Sequence, residues 1–189
     1  MSVTRLPTAA MILSALLDRP GRDNGQQPDV EVAAVMDPIL ALHRNNTLQW
    51  DREDDAREDG AGDAMVAAAK RDIDQLNSTR HGFIEAIDRA IVCTIDPRDG
   101  APLVTESPGM AIDRLSVLVI RLASTEARAA SGTADASLYA ERLPRLRRQL
   151  SGLEEAIATL FDDLATGARR FLPQESLKLY GPDRSGPVC

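Results

Sequence analysis

Apolar residues recur at helical spacing along most of this chain. From Val66 to Ile91 they return every three or four positions, the spacing of one buried helix face. The run Leu115–Leu122 (LSVLVIRL) is apolar on almost every side, as in a central helix, and its flanks favour a helix over a strand. From Tyr139 to Leu164 the apolar steps alternate between four and three, which predicts a long near-heptad helix.

Capping residues and prolines set the predicted helix boundaries. Asp37-Pro38 and Ser107-Pro108 each combine a capping side chain with a first-turn proline, and Asp63 caps a third helix. Pro144 either starts the last helix or kinks it. The predicted helices are 9–17, 38–58, 63–93, 108–129 and 136–170.

These elements predict an all-α helical bundle of four to five helices with a long near-heptad C-terminal helix. Pro, Gly, Asn and Asp crowd residues 18–30 without apolar periodicity, which predicts a loop. We therefore expect an N-terminal helix and flexible segment (1–30), a helical bundle domain (31–170) and an irregular C-terminal tail (171–189). The heptad seam is either internal to the bundle or the interface of a homodimer.

Composition narrows the function classes. The 189 residues have a net charge of −7, which disfavours binding to nucleic acid or to an anionic membrane surface. No apolar run approaches the length of about 18 residues that predicts a membrane span. Cys93 and Cys189 form no CxxC motif, which argues against a zinc-finger-type site. Two unrelated cysteines suit a reducing compartment, so we expect a cytoplasmic protein.

The helix predicted from Pro38 carries polar residues where its apolar stripe should continue. Ile39 and Leu42 begin the stripe, and buried polar groups without partners cost roughly 1–3 kcal/mol each. The alternatives are a functional pocket and a stripe that emerges into solvent. The polar residues on this face are His43, Asn46, Trp50, Glu53, Asp54 and Arg57.

Two further polar clusters accompany this face. Near one face of the next helix lie Lys70, Asp74, Asn77, His81 and Asp88. Arg80 interrupts the apolar stripe of the same helix. These residues form either a pocket or a structural ion-pair network. A third cluster surrounds the helix start at Ser107-Pro108, where backbone N–H groups either bind a phosphate or carboxylate or are only capped. Its members are Thr105, Glu106, Ser107, Gly109, Asp113 and Arg114.

Four blocks of the chain carry a resemblance to a known family. They are LHRNNTLQWDREDDAR (42–57), AAAKRDIDQLNSTRHGFIEAID (67–88), TESPGMAIDRLSVLVIRL (105–122) and LKLYGPD (177–183). In this order they resemble the bacterial family catalogued as domain of unknown function 4254. The resemblance marks many of the same polar residues. It implies a helical, cytoplasmic protein, often encoded among genes for glycosyl transfer and cell-envelope glycans, with no assigned activity.

Three functional hypotheses follow. The first is a metal-assisted phosphoryl or pyrophosphate hydrolase or transferase, in which Glu53, Asp54 and Asp74 hold Mg²⁺ or Mn²⁺ through carboxylate oxygens. The second is a metal-free lyase or cyclase, in which His43 or Glu53 moves a proton. The third is a non-catalytic accessory protein that docks on a glycosyltransferase or another pathway enzyme.

We favour a small-molecule biosynthetic enzyme that acts on an anionic substrate, either phosphorylated, nucleotide-linked or carboxylated. No cofactor is assigned, and Mg²⁺ or Mn²⁺ enters only under the first hypothesis. The predicted catalytic residues are His43, Glu53, Asp54 and Asp74. The predicted substrate-binding residues are Asn46, Trp50, Arg57, Lys70, Asn77, Arg80, Thr105, Glu106, Ser107, Gly109, Asp113 and Arg114.

Overall fold

Five helices form the protein in this computed structural model, which describes residues 6–17, 30–57, 62–95 and 98–175. Among these residues there is no strand, and one isolated bridge joins Leu103 to Arg170. The predicted all-α bundle is confirmed. The helices are α1 (Ala9–Leu17), α2 (Val30–Asp55), α3 (Asp63–Thr94), α4 (Pro108–Ala129) and α5 (Ala136–Thr166).

Helix α4 lies at the centre of the bundle, as its apolar run predicts. It pairs with α5 along most of its length and also contacts α1, α2 and α3. Helices α2 and α3 form the second extensive pair. Large aliphatic side chains from all five helices meet in one core. Its fully buried members include Ile12, Ile39, Ile87, Ile112 and Leu115.

The near-heptad seam of α5 is used within the chain. Leu150, Ile157 and Leu164 are buried in the common core, and Leu143 and Leu153 pack partly buried against it. The internal alternative for the seam therefore holds. A homodimer through the same residues would need the surface that this core already occupies.

Helix α2 begins at Val30, so its predicted start at Asp37-Pro38 was wrong. Val32 and Val35 extend the apolar stripe toward the N-terminus, and both are buried. Burying a valine side chain gains roughly 1.5–3 kcal/mol, so the two together offset the cost of about 3 kcal/mol for Pro38 inside the helix.

Two other predicted ends also shift. Helix α5 runs unbroken through Pro144 and ends at Thr166 rather than Arg170, because Gly167 takes a left-handed conformation with φ 68° and caps it. Helix α3 is capped by Gly62 in place of Asp63. The start of α4 is as predicted, since the Ser107 side chain accepts a hydrogen bond from the Met110 amide.

Several predicted features lie outside the described residues. These are most of the loop 18–30, the residues 58–61, and most of the tail 171–189, including the block LKLYGPD (177–183) and Cys189. Cys93 is disulfide-bonded, so the interpretation of this residue as a reduced thiol is wrong and no longer supports a reducing compartment. Within the described ranges, no helix combines the length and apolar character needed to cross a membrane.

Candidate functional site

A buried polar network joins α2, α3 and α4. Arg80 of α3 donates through Nε to Asp113 Oδ1 of α4 at 2.7 Å, and its Nη2 also binds Asp113 Oδ2. Asn46 of α2 donates from Nδ2 to Asp113 Oδ1 at 3.0 Å and to Ser116 Oγ at 3.1 Å. His43 Nδ1 lies 2.9 Å from the same Ser116 hydroxyl. The network thus fixes the Arg80 guanidinium from three helices.

Burial and charge act on both ends of this network. Burial lowers the pKa of His43, and the nearby positive charge of Arg44 lowers it further, so the imidazole is neutral near pH 7. The hydrogen bond to Asp113 raises the pKa of Arg80. Burial lowers this pKa and the negative charges of Asp113 and Glu53 raise it, so that the pKa lies above its usual value. Ser116 and Asp113 are almost fully buried, whereas 28% of the Arg80 side chain is exposed. Arg80 is therefore an end of the network that a ligand can reach, and His43 at the other end is also partly exposed.

Three polar atoms on the same face of α2 are buried and have no hydrogen-bond partner among the described residues. They are Asn46 Oδ1, Gln49 Oε1 and Trp50 Nε1. Gln49 still donates to Asn77 Oδ1 on α3 at 3.0 Å, so Asn77 contributes to the contact between α2 and α3. The unpaired atoms offer two acceptors and one donor beside the network.

The last turn of α2 does not form the predicted metal site. Arg57 binds Glu53 at 2.8 Å, and Arg57 and Arg128 lie 3.8 and 3.4 Å from Asp54. Asp74 is exposed on α3. No group of three or more His, Cys, Asp or Glu side chains in the described part of the chain could hold an ion. The three carboxylates chosen for Mg²⁺ or Mn²⁺ therefore do not fit a shared metal. Lys70 is exposed on α3 and, like Asp74, lines neither cavity described below.

The start of α4 is filled by a carboxylate of the protein itself. Asp88 has no exposed surface and accepts from the Gly109 amide at 2.7 Å and from the Gln174 amide at 2.8 Å. Burial raises the pKa of Asp88, while its hydrogen bonds to Ser107, Gln174 and Gly109 oppose that shift. The helix terminus that the sequence assigned to a substrate anion thus binds Asp88. Ser107 and Gly109 are buried beneath it.

A cavity of about 700 Å³ lies between α4 and α5; we call it the α4–α5 cavity. Arg80 and Asp113 bring the polar network to its wall, and Arg121 lines it as well. Thr105 and Glu106 lie at the same cavity, where Arg114 binds Glu106 at 2.8 Å. The rest of the lining is largely aliphatic and includes Val117, Leu118, Leu153, Ile157 and Leu160.

A second cavity of about 970 Å³ adjoins the first, with Arg121 and Gln149 lining both. We call it the arginine cavity. Trp50 and Asp54 line it from α2, Arg57 lines it from the turn after α2, and Tyr139 lines it from α5. Its five arginines are Arg57, Arg121, Arg128, Arg142 and Arg145.

Comparison with known families places this chain. The family model described as "Protein of unknown function (DUF4254)" matches residues 37–172. The chain belongs to this family. No curated protein and no solved structure matches it. The match spans the buried network and both cavities, and it ends before the block at 177–183.

Several site residues of this DUF4254 protein were missed by the sequence analysis. Ser116 is a polar residue inside the apolar run, three positions after Asp113, and that break in the pattern is its signal. Arg121 and Arg128 follow the predicted Arg114 at steps of seven positions on α4, which puts all three on one helix face. Asp88 was expected near the polar face of α3, but no spacing indicated its contact with the start of α4, because that role depends on how closely α3 and α4 approach.

Proposed function

We propose that this DUF4254 protein binds a small anionic molecule in the α4–α5 cavity and acts on it as a biosynthetic enzyme. One observation carries the proposal. Arg80 is held by a buried network of three helices, yet its guanidinium lines an open cavity. A structural ion pair gains nothing from facing a cavity of this size, whereas an arginine fixed in advance binds an anion with little loss of side-chain entropy.

The charge distribution supports the same function. The protein as a whole carries −7, yet the two adjoining cavities are lined by seven arginines and four carboxylates. A local excess of cations in an acidic protein attracts small anions, both phosphates and carboxylates. The aliphatic side chains that line the α4–α5 cavity suit a ligand with an apolar part.

The polar residues near the cavity favour metal-free chemistry on such a ligand. Glu106 and Asp113 are the carboxylates at the cavity wall, and each is bound to an arginine. His43 contacts the network on its buried side, through the Ser116 hydroxyl, so we assign it to positioning Ser116 and Asn46 rather than to proton transfer. The cytoplasmic location remains a prediction that rests on the family resemblance alone.

The test is a melting-temperature screen of the purified protein with inorganic phosphate, pyrophosphate, octanoate and octyl phosphate. A ligand at one hundred times its Kd stabilises the folded state by about 2.7 kcal/mol, which is a measurable shift. We expect at least one of these anions to raise the melting temperature in a saturable way. Arg121→Gln should abolish most of that shift.

Arg148→Gln is the matched control, because Arg148 is exposed on α5 and lines neither cavity. It should leave the anion-dependent shift unchanged. If no anion stabilises the wild type, the proposal fails. Stabilisation by a protein partner alone would instead favour the accessory-protein alternative.

A further inference from the structure

We infer that the ligand is an aliphatic diphosphate that spans both cavities. Its inner phosphoryl group lies near Arg80 and Arg121 in the α4–α5 cavity, its terminal phosphoryl group lies in the arginine cavity, and its aliphatic part lies along the aliphatic lining of the α4–α5 cavity. This inference rests on the proposed function and names the class of ligand. Its basis is the different chemistry of two adjoining cavities that share Arg121 and Gln149.

The arginine cavity holds cations that lack carboxylate partners. Among the described residues, no carboxylate lies within ion-pair distance of Arg121, Arg142 or Arg145. The two acids of the cavity are already engaged, since Asp55 binds Arg52 at 2.8 Å and Asp54 faces Arg57 and Arg128.

Tyr139 brings two of these cations together. The guanidinium carbons of Arg128 and Arg142 lie 5.5 and 5.2 Å from the centre of its ring. The Tyr139 hydroxyl also accepts a hydrogen bond from Arg128 Nη1 at 3.1 Å. Two like charges held beside one ring repel each other, and an anion between them would relieve that repulsion.

The number of cations indicates more than one phosphoryl group. A single phosphate ester carries a charge of about −1.5 to −2 at neutral pH. The four arginines with a weak carboxylate partner or none among the described residues are Arg121, Arg128, Arg142 and Arg145. Their combined positive charge exceeds what one phosphate neutralises, and two adjacent phosphoryl groups match it better. Arginine pairs with phosphate oxygens through two parallel hydrogen bonds, which suits a diphosphate with several free oxygens.

The α4–α5 cavity suits the remainder of such a molecule. Val117, Leu118 and Leu153 line one side, and no aromatic side chain lines this cavity in the part of the chain described. A nucleobase would gain from an aromatic stacking partner, whereas an alkyl chain needs only aliphatic contacts. The apolar wall therefore favours an alkyl group over a base.

Isothermal titration of the full-length protein with octyl diphosphate, octyl phosphate and inorganic pyrophosphate tests the inference. We expect octyl diphosphate to bind at least about tenfold more tightly than either of the other probes, because only it fills both cavities. The double variant Arg142→Gln/Arg145→Gln should weaken octyl diphosphate at least about tenfold and octyl phosphate much less.

Gly152→Leu tests the aliphatic half. Gly152 lines the α4–α5 cavity on α5, and a Cβ added there meets no atom within 4 Å. A leucine side chain would occupy the space of the alkyl group without disturbing the protein. Gly82→Leu is the matched control, because Gly82 is an equally open helical position on α3 outside both cavities.

We expect Gly152→Leu to weaken octyl diphosphate toward the affinity of pyrophosphate, and Gly82→Leu to bind like the wild type. Equal affinities for octyl diphosphate and octyl phosphate, both dependent on Arg121, would overturn this inference and leave the proposed function intact. Failure of every anionic probe to bind the wild type would overturn both.

Discussion

The close approach of α3 and α4 at Gly109 makes one substitution unusually informative. Gly109 is the second residue of α4. A Cβ at this position would lie 2.5 Å from the Ile84 carbonyl oxygen and 2.8 Å from Asp88 Oδ1. The first neighbour is backbone, so Gly109→Ala must push the two helices apart or displace the Asp88 carboxylate.

The magnitude follows from two contributions. Overpacking a tight contact costs about 1–3 kcal/mol. Losing the hydrogen bond from the Gly109 amide to the ionised or partly ionised Asp88 costs about 1.5–3 kcal/mol. The better helix propensity of alanine returns at most about 1 kcal/mol. We therefore expect Gly109→Ala to lower the free energy of unfolding by about 2–4 kcal/mol.

Urea denaturation followed by circular dichroism measures this loss as a lower midpoint at unchanged slope. Gly82→Ala is the control, because a Cβ on Gly82 meets nothing within 4 Å. That variant should gain roughly 0.5–1 kcal/mol from helix propensity alone. If Gly109→Ala is as stable as the wild type, α3 and α4 do not cross as closely as described.

Three further predictions concern the buried polar groups. Asp113→Asn should lower the free energy of unfolding by about 1–3 kcal/mol, because Arg80 loses its carboxylate partner, and should weaken anion binding; an unchanged urea midpoint would contradict the network. The pKa of His43 is lowered from 6.5, so the wild type should lose more stability than His43→Gln as the pH falls below 6.5, and equal losses would contradict its burial. The pKa of Asp88 is raised from 3.8, so the stability advantage of the wild type over Asp88→Asn should be largest at low pH and shrink as the pH rises; an advantage that grows with pH would contradict this.

The sequence predicts the fold well because apolar spacing and caps are local signals. Ser107-Pro108 starts α4 where the pattern predicts, and the run Leu115–Leu122 occupies the centre of the bundle. The start of α2 was missed because the proline predicts a helix start at its own position, whereas two valines before it extend the apolar stripe toward the N-terminus. Only the burial of these valines in the folded protein shows that the helix begins earlier. The end of α5 likewise depends on the conformation of Gly167.

The candidate site is predictable only in part. Helical spacing and the family resemblance brought His43, Asn46, Arg80 and Asp113 to attention, and the structure places all four in one network. The predicted metal ligands did not come together, because in an acidic chain most carboxylates near a helix end find arginines on the surface. Which carboxylate pairs with which arginine depends on side-chain positions that no spacing rule specifies.

Our central proposal is that the arginines that line the two cavities bind an anion. The most direct measurement is an NMR titration of the arginine side-chain Nε–H resonances with octyl diphosphate. We predict saturable shifts for Arg80, Arg121 and Arg142, with Arg148, which lines neither cavity, unmoved. If these three resonances do not shift, or if all arginines shift alike in proportion to added salt, the protein has no anion site of the kind described.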